Sequence, residues 1–352
     1  MVPTSRSRTD KKTNSNPPLR SSPGAALLII ITGSLLLLLG IGLSITVGAA
    51  DIRLATVWDA VFHFQPDLQQ HQVIRELRMP RGLTAALVGA GFAVSGALMQ
   101  GMTRNPLADS GLLGLNAGAG LGLALIFAFW PQLPFTATML FSFLGAAASA
   151  VLVFGIGAAS GGGLTPIRLT LAGAAVGSML LALSQGVAIY FNLSQELAFW
   201  YAGGVAGVTW TQLYAILPWL LGGLVLSVMI SRQITVLSLG SEVASGLGQR
   251  TVLIQIFGML IVLMLAGAAV SAVGPVAFVG LMVPHIARYL VGVDYRWIIP
   301  CSAVLGGLMM LFADIGSRIV NPPYETPLGA LIAVIGVPFF VVLARRERGN
   351  RS

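Results

Sequence analysis

The chain has 352 residues, of which 56% are hydrophobic and only 9% are charged. A soluble domain carries roughly 25% charged residues, so composition excludes an ordinary soluble fold and predicts an all-α, polytopic membrane protein. The formal net charge of +8 is spread over loops and tails, which does not favour nucleic acid as a partner.

The N-terminal region predicts a tail followed by a first membrane span. Residues 1–24 are polar and predict a disordered cytosolic tail. The apolar run at about 25–48 is longer than the h-region of a signal peptide, so we expect an uncleaved span. Residues 49–77 then predict an external loop with a short helix near Val57–Phe62.

Nine further apolar runs predict spans, which makes about ten in all. They lie at about 82–102, 111–130, 135–157, 168–190, 211–230, 251–272, 276–292, 297–317 and 328–344. The permease domain is therefore expected at 25–345, with a short C-terminal tail at 346–352. An even number of spans places both termini on the same side of the membrane.

The distribution of positive charge orients these spans. Five arginines fall outside, and the other fifteen of the 20 Lys and Arg residues fall on the cytosolic side. The external ones are Arg53, Arg75, Arg78, Arg81 and Arg318. Because cytosolic loops are enriched in Lys and Arg, this bias predicts that both termini are cytosolic.

Small residues at spacing four predict close helix packing within the membrane. Gly114, Gly118 and Gly122 form one such line, and Gly203 and Gly207 form a shorter one. Such lines let helix backbones touch in lipid.

The stretch from Ser231 to Arg250 is too polar for lipid and predicts a cytosolic segment. Leu239, Val243 and Leu247 recur at spacing four, which favours one face of a short helix. Ser241 is predicted to cap this helix, Glu242 to lie in its first turn, and Gly246 and Gly248 to end it. These residues alone leave two interpretations open, an ordinary polar loop or a docking knob for another protein.

The chain carries no recognisable catalytic or metal-binding pattern. His63, His71 and His285 are not spaced as a ligand set. Lys11 and Lys12 are the only lysines, whereas a P-loop needs a lysine on the nucleotide phosphates. We therefore expect no cofactor on this chain, and any ATP-driven activity requires a separate ATPase that binds ATP and Mg²⁺.

The external arginines have two interpretations. Arg318 follows Asp314 by four residues, which fits a local ion pair, and Arg78 and Arg81 fit interface anchors of the second span. The functional interpretation is an exposed cationic patch that grips carboxylates of an acidic partner.

Several blocks of sequence together resemble one family. They are RMPRGL (78–83), GALMQGMTRNPLADSGLLGLNAGAGLG (96–122), LSLGSEVASGLG (237–248), GPVAFVGLMVPHIARYLVG (274–292), ADIGSR (313–318) and ETPLGALIAVIGVPFF (325–340). In this order they resemble the permease subunits of ATP-binding-cassette importers for iron–siderophores, heme and vitamin B12. The resemblance implies a vitamin B12 importer permease-like fold with ten spans, in a bacterial inner membrane.

The resemblance also implies partners and site residues. The partners are a second permease subunit, cytosolic ATPase subunits, an external solute-binding protein and membrane lipid. By resemblance, the ATPase-coupling helix lies at about 238–248, with coupling residues Leu239, Gly240, Glu242, Ala244, Leu247 and Gly248. Docking of the binding protein is implied for Arg78, Arg81 and Arg318, and a cytosolic gate for Leu107, Thr165 and Pro166.

The favoured function is import of a ferric siderophore, and the same class acting on heme or vitamin B12 stays open. An ion-coupled secondary transporter is a second class, in which Asp314 is the nearest candidate for a coupling acid. A membrane enzyme would need a polar catalytic constellation, and the sequence supplies none.

Overall fold

A computed structural model of the protein describes residues 21–48, 52–159, 166–322 and 324–349. Within these ranges the regular structure is helical and contains no β-strand. The helices are α1 (Pro23–Thr46), α2 (Leu54–Phe62), α3 (Gln69–Gln72), α4 (Met79–Thr103), α5 (Leu115–Phe129), α6 (Phe135–Ala159), α7 (Pro166–Tyr190), α8 (Ser194–Ala202), α9 (Trp210–Met229), α10 (Ser231–Ser238), α11 (Ser241–Gly246), α12 (Thr251–Val262), α13 (Ala268–Val273), α14 (Val279–Val291), α15 (Tyr295–Ile319) and α16 (Leu328–Gly349). A π-helical segment precedes α4 at Val73–Arg78, another joins α12 to α13 at Leu263–Gly267, and a 3₁₀ turn at Ser110–Leu113 precedes α5.

The ten predicted spans coincide with ten apolar helical segments. Over the described residues, seven are long and apolar enough to cross a membrane, and three are shorter, at Leu115–Phe129, Val279–Val291 and Leu328–Val342. The all-α, polytopic fold class is therefore confirmed. The predicted external helix near Val57–Phe62 is also present, as α2.

Helix α4 forms the centre of the packed helices. In its most apolar window 83% of residues are buried, against 17% for α1 at the periphery. Gly89 of α4 lies against the backbone of Gly306 in α15, and Gly96 lies against Gly280 in α14. Glycine is required at these crossings because a side chain would meet the neighbouring backbone.

The two predicted glycine lines have different outcomes. Gly118 and Gly122 of α5 meet the backbone of α6 at Gly145 and Phe141, as predicted, whereas Gly114 is the left-handed cap before α5 and lies against the side chain of Ser149. The shorter line is wrong, because Gly203 and Gly207 follow the end of α8 and both have positive φ angles in a loop.

The predicted domain boundaries shift at both ends. Helix α1 already begins at Pro23, inside the predicted tail, since proline is well suited to the first helical position. Helix α16 runs on to Gly349, past the predicted boundary at 345. The rest of the predicted N-terminal tail, 1–20, and the last residues, 350–352, lie outside the described residues.

Candidate functional site

The first candidate region is the C-terminal end of α1, on the side that the predicted orientation places outside, where the chain must satisfy a helix C-terminus. The last four carbonyl groups of an α-helix have no partner within the helix. In α1 these are the carbonyls of Ser44, Ile45, Thr46 and Val47. Arg78 donates through Nη1 to the second and third of them, at 2.6 and 3.0 Å. Arg318 donates through Nη1 to the first and the last, both at 2.8 Å.

These two arginines therefore cap α1 from neighbouring helices. Arg78 enters from the turn that precedes α4, and Arg318 enters from the last turn of α15. A guanidinium also complements the partial negative charge at a helix C-terminus. The arrangement ties the outer ends of α1, α4 and α15 together.

Asp314 lies between two of the arginines. Its carboxylate is fully buried, and it pairs with Arg318 at 2.7 Å and with Arg81 at 2.8 Å. Arg81 also holds Glu325 through both guanidinium ends, with Nη1 to Oε1 at 2.6 Å and Nη2 to Oε2 at 3.0 Å. We call Arg78, Arg81, Asp314, Arg318 and Glu325 the outer network.

The expectation of an exposed cationic patch is corrected by this geometry. Arg78 is only 7% exposed, and the side chain of Arg318 only 5%. They are buried because carbonyls and a carboxylate would otherwise lie inside the protein without donors. The local Arg318–Asp314 ion pair considered from the sequence is present, and the docking role of the three arginines stays a prediction.

Glu325 was not singled out by reasoning from the sequence. It lies in the segment between α15 and α16, far from Arg81 in the chain, and no local spacing connects the two residues. Arg81 and Glu325 both line two cavities, of about 330 and 360 Å³. The outer network therefore has one side open to an approaching group.

The second candidate region is the hairpin formed by α10 and α11. Helix α10 is anchored in the core by Ile234 and Leu237. The Thr235 hydroxyl accepts from the Tyr295 backbone N–H at 3.0 Å and donates to Asp294 at 3.2 Å. Burial alone would raise the pKa of Asp294, but hydrogen bonds and charge from Arg296 hold the pKa below its ordinary value. These contacts fix the hairpin to the start of α15.

Helix α11 is flanked by two glycines with positive φ, Gly240 before it and Gly248 after it. Gly240, with φ of 131°, turns the chain between α10 and α11. The single helix predicted at about 238–248 is therefore wrong, because Leu239 lies at the end of α10 and only Val243 lies within α11. At the other end, the N–H of Gly248 donates to Ser245 and the N–H of Gln249 donates to Ala244, both at 2.9 Å. This is the Schellman pattern, so Gly248 ends the helix as predicted, while Gly246 lies within it.

The predicted Ser241 cap is wrong. Gly240 occupies the N-cap position and Ser241 is the first helical residue, with no side-chain capping bond. The turn requires a positive φ at the cap, which glycine adopts and serine disfavours. Glu242 lies in the first turn, as predicted.

The apolar residues of this hairpin divide into an inner and an outer set. Ala244 is fully buried against the core. Leu239, Val243 and Leu247 are 63%, 49% and 69% exposed. Three large apolar side chains at spacing four, on a polar segment between spans, favour a docking surface over an ordinary polar loop.

The predicted gate is only partly within the described residues. Leu107 is half-buried in the turn between α4 and α5, where its N–H donates to Asn105 Oδ1 at 3.0 Å. Pro166 begins α7, and Thr165 lies outside the described residues. The gate therefore stays a prediction.

A further polar link was missed from the sequence. Arg288 of α14 donates to Gln100 of α4 and to the Tyr295 hydroxyl, both at 3.1 Å. Gln100 in turn donates to the carbonyl of Leu281 at 3.1 Å. From the sequence, Arg288 counted only as a cytosolic charge, whereas in the structure it joins α14 to α4 and α15.

No metal site is evident in the part of the chain that the structure describes. Over those residues, no three His, Cys, Asp or Glu side chains lie together as a candidate ligand set.

Comparison with known proteins gives consistent results. The model of the FecCD transport family matches residues 36–346. The iron(3+)-hydroxamate import system permease protein FhuB of Bacillus subtilis (strain 168) is 55% identical over 323 residues, which is 92% of this chain and 84% of that protein. The hemin transport system permease protein HmuU of Yersinia pestis is 35% identical, over 90% of this chain and 95% of that protein.

Solved structures agree with the fold. An inward-facing conformation of a putative metal-chelate type ABC transporter superposes with a TM-score of 0.78 at 27% identity, covering 91% of this chain and 99% of that chain. The PsaBC protein of Streptococcus pneumoniae superposes with a TM-score of 0.59 at 18% identity, covering 82% and 95%, and shows likeness of fold alone.

Proposed function

Because this chain belongs to the FecCD transport family, we propose that it is the permease subunit of an ATP-driven importer of ferric siderophores of the hydroxamate class. The observation that carries the proposal is the 55% identity to an iron(3+)-hydroxamate permease over 92% of this chain. A hemin permease at 35% identity makes heme the substrate to test against. The chain acts as a transport subunit and not as an enzyme.

The proposed energy source is a separate cytosolic ATPase. The chain's only lysines are Lys11 and Lys12, which leaves it without a P-loop of its own. The exposed apolar face of the α10–α11 hairpin supplies a docking surface for the ATPase. Its buried residues Ile234 and Leu237 can transmit a movement of the ATPase to the packed helices. We assign to this contact Leu239, Gly240, Glu242, Ala244, Leu247 and Gly248.

The outer network argues against ion coupling through Asp314. A coupling acid must exchange its ion or proton during transport. Asp314 is instead held by Arg81 and Arg318 in a fully buried position. Releasing it would leave the buried Arg318 without its counter-charge and Arg81 with Glu325 alone, so Asp314 serves structure better than ion exchange.

The remaining partners follow from the same proposal. An external solute-binding protein delivers the ferric siderophore to the outer face, and a second permease subunit completes the pathway. The protein is a multi-pass protein of the bacterial membrane, and the distribution of arginines supports cytosolic termini.

Uptake of iron-55 by cells tests the substrate. A strain lacking this chain should lose uptake of a ferric hydroxamate siderophore, and the plasmid-borne chain should restore it. Uptake of heme and of a ferric catecholate should not depend on the chain. Loss of heme uptake with normal hydroxamate uptake would replace the siderophore assignment with heme.

Cysteine labelling tests the orientation. Ser241→Cys should react with a membrane-impermeant maleimide only in inverted vesicles, and Asp67→Cys only in intact spheroplasts. The native Cys301 is buried, so its background labelling is expected to be low. Labelling of both introduced cysteines from one side would contradict the ten-span orientation.

A further inference from the structure

The three arginines of the outer network are not equivalent. Arg78 and Arg318 donate to the four carbonyls at the end of α1, and Arg318 also pairs with the buried Asp314. Arg81 bonds to carboxylates, those of Asp314 and Glu325. Arg81 is therefore the arginine whose bonding mode an incoming carboxylate can reproduce.

The two carboxylates held by Arg81 also differ. Asp314 is fully buried and shared with Arg318, so its departure would leave a buried charge uncompensated. The side chain of Glu325 is 42% exposed and lies in the segment between α15 and α16. If Glu325 leaves Arg81, water solvates the freed carboxylate, so its departure costs little.

The space beside this pair admits another group. Arg81 and Glu325 line both outer cavities, and one of the two is also lined by Arg78 and Arg318. With three arginines and two carboxylates, the outer network carries a net positive charge even while Glu325 is bound. The cavity therefore attracts anions, and charge complementarity selects a carboxylate that can approach from outside.

We propose that Glu325 is an internal stand-in for a carboxylate of the external solute-binding protein, which displaces it from Arg81 when the binding protein docks. This inference rests on the proposed function and adds to it a competitor built into the permease. Docking then exchanges one bidentate carboxylate for another, so it leaves the buried Asp314 and the caps of α1 undisturbed. The exchange frees the segment that leads into α16.

The test is a binding measurement on the assembled permease–ATPase complex in nanodiscs, with purified binding protein. Glu325→Gln removes the competing charge and should tighten docking by about threefold to fivefold, since a carboxylate that is 42% exposed sequesters its arginine by only a small factor. Arg81→Gln should weaken docking. In the Arg81→Gln background, Glu325→Gln should add nothing, because the competition acts through Arg81.

Glu196→Gln is the matched control. It removes one exposed carboxylate from α8, which the ten-span orientation also places on the outer side, and it should leave docking unchanged. Equal or weaker docking by Glu325→Gln, at the same yield of assembled complex, would overturn the inference. If Glu325→Gln assembles poorly, Glu325→Asp should still dock more tightly than wild type, because the shorter side chain cannot keep the bidentate contact.

The two proposals fail in different ways. If the binding protein does not dock to the wild-type complex, the proposed external partner is wrong. If it docks to wild type and the Glu325 variants change nothing, only the stand-in role is wrong.

Discussion

The outer network buries polar side chains, whereas the α10–α11 hairpin exposes apolar ones. At the outer end, arginines and an aspartate are buried, and they satisfy one another and the end of α1. At the hairpin, two leucines and a valine are exposed. The outer network uses polar groups to hold helices together, whereas the hairpin leaves apolar groups available.

This difference separates stability from docking. Removing Asp314 or Arg318 from the outer network takes partners from buried polar groups and should destabilise the protein. A substitution on the exposed face of the hairpin removes no internal contact and should affect only a partner. Four predictions test this separation, beginning with the largest expected effect.

Replacing Asp314 by Ala should destabilise the protein most. It leaves Arg81 and Arg318 buried without their shared counter-charge, which costs about 3–5 kcal/mol. The measurement is the melting temperature and yield of monodisperse protein in detergent. Asp67→Ala, which removes an exposed outer carboxylate, is the control. A normal melting temperature for the Asp314 variant would show that the network does not stabilise the fold.

Replacing Arg318 by Met should have a smaller but clear effect on stability. The apolar stem is kept and Asp314 still has Arg81 as its counter-charge, but the Ser44 and Val47 carbonyls lose their donor, at a cost of about 1.5–3 kcal/mol. Arg318→Lys should keep only part of the wild-type stability, since an ammonium cannot reproduce the guanidinium geometry. Arg53→Met, at an exposed outer arginine, should melt normally. If Arg318 serves docking and has no structural role, Arg318→Met and Arg53→Met should both melt like the wild type.

Proline within α11 should uncouple ATP hydrolysis from transport without unfolding the spans. Ala244→Pro removes the bond from the Ala244 N–H to Gly240, at 2.9 Å, with a local cost of about 3 kcal/mol. Ser241→Pro is the matched control, because Ser241 is the first helical residue, where proline is tolerated. The measurements are ATPase activity and uptake in proteoliposomes. Equal uptake by the two proline variants would show that the helix has no coupling role.

Replacing Leu247 by Ser should have the smallest effect on folding and a selective effect on the partner. The exposed side chain contributes within about 0.5 kcal/mol to stability. If Leu247 is buried by the ATPase, its loss should weaken assembly by about tenfold. Co-purification of the ATPase at falling concentration measures this, and Ser245→Ala, at a polar exposed position of α11, is the control. Unchanged assembly would show that the hairpin is an ordinary solvated loop and not a docking surface.

Much of the fold could be predicted from the sequence because the membrane imposes simple rules. Apolar runs of about 20 residues predict spans, and the bias of arginines predicts their orientation. The polar segment was found in the same way, since Leu239, Val243 and Leu247 repeat at spacing four, but one helix was predicted where the structure has two. The Ser241 cap was missed because serine commonly caps helices, whereas this turn needs the positive φ of Gly240.

The outer network could not be predicted, because its pairs join residues far apart in the chain. Arg81 meets Glu325 across more than two hundred positions, and Arg318 reaches the end of α1 across a similar separation. Local spacing identified only the Arg318–Asp314 pair, which lies one helical turn apart.

The sequence by itself determined the class of the protein, the number of apolar segments and the polar segment with its exposed apolar residues, since each follows from local composition and period. Tertiary structure decided which charges face the solvent. Helix packing brings the carbonyl end of α1 beside α4 and α15, and buried carbonyls must find donors. That requirement turns Arg78 and Arg318 inward and leaves Arg81, paired with the half-exposed Glu325, at the open edge of the network.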